Sequence, residues 1–208
     1  MIIFKANDVI FAIFNNPKCA SSLISKIIYP QIMKHYKVLF MGKLGVKDSG
    51  YDNINYNHCN LKACVDYLIS KNINIQDVIF ITTIRNPIDR IISSYFYELK
   101  LKNLKYWKHP NDIQEDIYEF AQWDHIKHFY PNNFRCYEYY KMHEILRTEN
   151  IKEEFENLVK KYNLQINTSR LDNIINKTSY NKIKLCEKTI DLIKDKYNLD
   201  IIEGNYNI

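Results

Sequence analysis

The 208-residue chain is 46% hydrophobic and 14% aromatic, which excludes an intrinsically disordered chain and supplies enough apolar mass for one domain with a substantial core. Its net charge of +5 favours an anionic ligand, but the basic residues are spread along the chain rather than clustered, which argues against nucleic-acid binding. Cys19, Cys59, Cys64, Cys136 and Cys186 lack metal-ligand or disulfide-framework spacing, no apolar segment has membrane length, and no signal-peptide pattern is present, so the expected setting is soluble and cytoplasmic.

The first strong element is the apolar run Ile10 to Phe14, of strand length and without alternation, as in a central parallel strand covered on both faces. Asn15 and Asn16 begin a turn and Pro17 directs it. Ser21 or Ser22 is expected to cap a helix whose Leu23, Ile24, Ile27 and Ile28 share one face. The first-turn amides of such a helix, with the positive end of its dipole, suit an anion, and Lys18 adds a mobile cation. The nucleotide-binding pattern GxxxxGK[ST] is absent from this loop. Val38 to Phe40 reads as a short strand and the glycine-bearing stretch 41–57 as loop. His58 precedes a helix with Leu61, Cys64, Val65, Leu68 and Ile69 on its apolar stripe.

Residues 78–84 form a second buried-strand run, followed by a helix with Asn86 as N-cap, Pro87 at its first position and Asp89 in its first turn. Ile88, Ile91, Ile92, Tyr95 and Leu99 make its apolar stripe. Arg85 ends the strand, and Ser93 lies roughly 10 Å along at 1.5 Å per residue, within reach of a shared phosphate. Helical pieces are expected at 113–129. Trp107, His109, Trp123, His125, His128 and neighbouring tyrosines offer either core packing or an acceptor wall. Glu144 to Thr148 reads as a strand, and Asn150 with Glu153 approximates a capping box for a helix buried through Ile151, Phe155, Leu158, Val159 and Tyr162. The loop Asn176–Tyr180, which holds Lys177, precedes a final helix with Ile183, Cys186, Ile190, Ile193 and Tyr197 on one stripe.

Pro17-Lys18-Cys19-Ala20-Ser21-Ser22 resembles the 5′-phosphosulfate loop of sulfotransferases that use 3′-phosphoadenosine 5′-phosphosulfate (PAPS), and Arg85 with Ser93 resembles the 3′-phosphate motif of that family. Tyr56-Asn57-His58-Cys59-Asn60-Leu61 is similar in placement to the histidine segment of the branch that sulfates heparan-type sugars at the 2-hydroxyl, with Asn57 where that branch often has glycine. The resemblance implies a PAPS-dependent enzyme that sulfates a hydroxyl acceptor, carbohydrate in kind, without a required metal. It implies Lys18 at the leaving oxygen and His58 as general base, with Arg85, Ser93 and Lys177 on the cofactor's phosphates. A nucleotide-binding kinase and a non-catalytic phosphonucleotide-binding module of the same fold are the alternatives. The expected fold is a single layered α/β domain with a parallel sheet of about four or five strands and helices on both faces.

Overall fold

The structure, a computed structural model, describes residues 1–14, 16–41, 61–100, 112–122, 142–172 and 183–208. The described residues fall into two compact units, Met1–Ile84 with Asn132–Ile175, and Arg85–Pro131 with Asn176–Ile208.

The first unit is built on a five-stranded sheet. Strand β1 (Ile2–Ala6) pairs antiparallel with β2 (Val9–Phe14), Ile2 opposite Ile13 and Ala6 opposite Val9. Asn7 and Asp8 join them with φ 48 and 64, the pair of left-handed residues that a two-residue hairpin turn of matching twist needs. The Asn7 amide ties that turn to the carbonyls of Tyr162 and Asn163, both at 3.2 Å. β1 has no counterpart among the expected elements; its signal is the Asn7-Asp8 pair between two apolar runs. Beside β1 lies β3 (Lys37–Met41), also antiparallel. On the other side of β2, β4 (Val78–Ile84) runs parallel with Phe14 level with Thr82. β5 (Glu144–Arg147) runs parallel to β4 with Ile84 level with Arg147.

The strand order β3-β1-β2-β4-β5 is therefore mixed, which corrects the expectation of a parallel sheet. The reason is connection length. Two residues can join only antiparallel neighbours, whereas parallel neighbours need a crossover of a dozen residues or more. The expected central strand is in place: β2 is the middle strand, with a parallel and an antiparallel neighbour.

Alternate residues of the sheet feed two apolar layers. Ile2, Phe4, Phe11 and Ile13 pack with Ile24, Ile28 and Ile32 and with Phe155 and Leu158 of α6 (Ile151–Lys161) on one face. On the other, Ile3, Ala12, Phe14 and Phe80 pack with Cys64, Val65 and Leu68 of α3 (Leu61–Ser70). The helical run after β2 comprises α1 (Ser21–Leu23), a π segment (Ile24–Ile28) and α2 (Tyr29–His35). Pro30 accounts for the π segment. It has no N–H for the carbonyl four residues back and its ring crowds that carbonyl, so the preceding turn widens and the Tyr29 amide bonds Ile24, five residues away.

The expected capping box at Asn150 does not form. A 3₁₀ turn (Thr148–Asn150) feeds α6 directly, and Asn150, at φ −122 and ψ 30, is outside the extended conformation from which a cap side chain reaches its helix. Among the described residues no helix is long and apolar enough to cross a membrane.

The second unit holds α4 (Pro87–Lys100), α5 (Ile113–Gln122), α7 (Glu187–Lys196) and α8 (Asn198–Gly204) around Ile91, Tyr95, Phe120, Ile193 and Tyr197. The expected start of α4 is observed: the Asn86 carboxamide oxygen accepts from Ile88 N at 3.0 Å, with Pro87 at the first helical position. The Tyr95 hydroxyl donates to Asp116 Oδ2 at 2.6 Å inside this core, where Asp116 is wholly buried. Gln114 clamps the entry to α7, donating to the Lys184 carbonyl at 2.7 Å and accepting from Cys186 N at 2.9 Å. Arg90, expected only as part of the helix, is buried under the Tyr197 ring, 6.0 Å from its centroid.

Truncating Phe155, which is fully buried between α6 and the sheet, should destabilise the protein by about 3–5 kcal/mol in urea unfolding. Burial, and then the bond to Asp116, raise the Tyr95 pKa above the ordinary tyrosine value. The folded state therefore keeps a proton that the unfolded chain loses above about pH 10, so this stabilisation is complete below pH 10 and declines above it. The stability difference between wild type and Tyr95→Phe should hold from about pH 8 to pH 10 and narrow above about pH 10 in repeated unfolding; a difference that stays constant above pH 10 would exclude this linkage.

Candidate functional site

β2 enters the loop at Asn16, and Pro17 and Lys18 form the corner of a tight turn that the Cys19 amide closes on the Asn16 carbonyl at 3.2 Å. Proline at the second position and a left-handed residue at the third is the type II pattern, in which the third position ordinarily belongs to glycine. Here that residue is Lys18, φ 63. Ala20 is also left-handed, at φ 57 and ψ 17, and is the N-cap of the helical run.

The expected capping role of Ser21 or Ser22 is thus corrected. The chain reaches the helix through left-handed Ala20, so Ser21 and Ser22 are already its first residues, and no side chain caps the end. Helical bonding begins with Leu23 N and Ile24 N, which donate to the Ala20 carbonyl at 2.9 and 3.0 Å, leaving the amides of Ser21 and Ser22 as first-turn donors. Pro17 and Cys19 are buried, while Lys18, Ala20, Ser21 and Ser22 are half-buried.

Three buried hydrogen bonds fasten this loop to β4. The Asn16 amide nitrogen donates to Thr82 Oγ1 at 2.8 Å and to the Thr83 carbonyl at 2.6 Å, and Thr83 Oγ1 donates to the Cys19 carbonyl at 2.9 Å. Asn16, Thr82 and Thr83 were missing from the candidates drawn from the sequence. Their visible signal is two adjacent hydroxyl residues in a strand that is otherwise aliphatic and aromatic, since buried hydroxyls need partners. At the same edge of the sheet Thr148 Oγ1 donates to the Ile84 carbonyl at 2.6 Å, and Arg147 Nε pairs with Glu154 at 2.8 Å.

In the second unit Arg85 is half-buried just ahead of α4, and Ser93 is buried in the seventh position of that helix. His58 and Lys177 lie outside the described residues, as do Trp107, His109, Trp123, His125 and His128. The structure thus gathers Pro17 to Ser22 in one loop and sets Arg85 and Ser93 on one strand-to-helix segment. Comparison of the chain with protein-family models, curated proteins and solved structures returned no match.

Replacing Asn16 by alanine removes the two buried hydrogen bonds that it donates to Thr82 Oγ1 and the Thr83 carbonyl. A loss of roughly 1–3 kcal/mol is expected in urea unfolding; stability within a few tenths of wild type would mean that the loop is held by other contacts.

Proposed function

We propose that the chain is a PAPS-dependent sulfotransferase that forms a sulfate ester on a hydroxyl acceptor of carbohydrate type. The observation that carries this reading is the loop at the C-terminal end of β2. Left-handed Lys18 and Ala20 flank Cys19 immediately before a helix start, and the first-turn amides of Ser21 and Ser22 that follow suit a phosphate or sulfate group. Residues 16–22 carry no acidic side chain and include one lysine, a donor set that fits a dianion and not a metal ion. The arginine-to-serine spacing of residues 85 and 93 supports the same reading, since a guanidinium and a hydroxyl are the donors that a 3′-phosphate requires.

When bound, the donor supplies the sulfuryl group. The Cys19 amide is taken up by the turn, so the amides of residues 20–22 and the Ser21 and Ser22 hydroxyls hold the phosphosulfate, and Lys18 balances the negative charge that grows on the departing phosphate oxygen. Arg85 and Ser93 hold the 3′-phosphate, with Lys177 as a further cation. His58 takes the proton from the acceptor hydroxyl, a role worth roughly 10²–10⁴-fold in rate.

Calorimetric titration with 3′-phosphoadenosine 5′-phosphate (PAP), beside ATP with Mg²⁺, tests the reading. PAP should bind selectively, and Lys18→Ala or Arg85→Ala should weaken it roughly 10- to 100-fold, the scale of one charge-assisted hydrogen bond. His58→Ala should leave PAP binding intact while abolishing most transfer. Binding of neither nucleotide, or of ATP alone, overturns the proposal.

A further inference from the structure

Lys18 and Ala20 hold left-handed conformations that their Cβ atoms disfavour, and such strain persists only where surrounding contacts over-determine it. The three bonds from Asn16 and Thr83 are among those contacts. They grip the loop on either side of Lys18: the Asn16 side chain holds the residue two before it to β4, and Thr83 Oγ1 holds the carbonyl of the residue after it. The grip lies in the interior, with Thr83 and Cys19 both at 0% exposure and Asn16 at 6%, so water does not compete for these groups.

We infer that Asn16 and Thr83 are positioning residues for a 5′-phosphate or phosphosulfate group, holding the loop amides and Lys18 in their binding directions before the group arrives. This rests on the sulfotransferase reading and adds to it the residues that act through the loop backbone. Fixing the donors beforehand removes the ordering cost from the binding step, so losing the grip weakens the bound anion even where the protein stays folded.

The two ends of the nucleotide separate this role from a merely structural one. PAP engages the loop through its 5′-phosphate, whereas adenosine 3′-phosphate lacks that group. Thr83→Val keeps the branched shape and removes the hydroxyl; Thr83→Ser keeps the hydroxyl. With each variant shown by circular dichroism to be folded at the titration temperature, Thr83→Val should bind PAP about tenfold more weakly, the equilibrium scale of one hydrogen bond. It should bind adenosine 3′-phosphate as wild type does, and Thr83→Ser should restore PAP affinity. The same titrations on Asn16→Ala serve if Thr83→Val does not fold. Equal losses for the two nucleotides, or no loss for either, overturn the positioning role while Lys18→Ala still weakens PAP and the sulfotransferase reading stands. A wild-type protein that binds no PAP overturns both.

Discussion

The parallel pairing of β2 with β4 is the constraint on which the first unit depends. It brings the C-terminal ends of both strands to one edge of the sheet, with Phe14 level with Thr82. It also buries both strands on two faces, so every polar group among them needs an internal partner. Thr82, Thr83 and Asn16 satisfy one another and the neighbouring carbonyls there. The polar contacts that solve the burial problem at the end of β4 are the same contacts that shape the loop after β2.

That loop reaches its turn without glycine. A glycine at position 18 would adopt φ 63 with little strain, but it would carry no charge. Lysine places a cation at the corner of the turn at the expense of backbone strain, and the grip from β4 offsets it. The arrangement trades local ease for a lysine at the corner of the turn.

The second unit solves a different problem. Its core carries charged and hydroxyl groups as well as apolar ones, with Arg90, Glu98, Asp116 and Asp200 all buried. The Tyr95 to Asp116 bond and the placement of the Arg90 guanidinium over the Tyr197 ring show how part of that polarity is accommodated. Both tyrosines lie on the apolar stripes legible from helical spacing, but their hydroxyl and ring partners come from other helices. Helical periodicity reports which face is buried, not what meets it there.

What the sequence determined by itself is what near neighbours decide. The runs at 10–14 and 78–84 are strands because apolar and β-branched residues leave no polar face. Asn86-Pro87 starts a helix because cap and proline act within one turn. The placement of Pro17 to Ser22 between a strand and a helix, and of Arg85 just ahead of the helix that carries Ser93, was legible in the same way. Tertiary structure decided the rest. The antiparallel half of the sheet follows from β1 folding back at Asn7-Asp8, and the failed caps at Ser21 and Asn150 follow from the direction in which the chain enters each helix. Asn16 meets Thr83 across 67 residues of sequence, a partnership that no local pattern encodes because it exists only once β2 and β4 lie side by side.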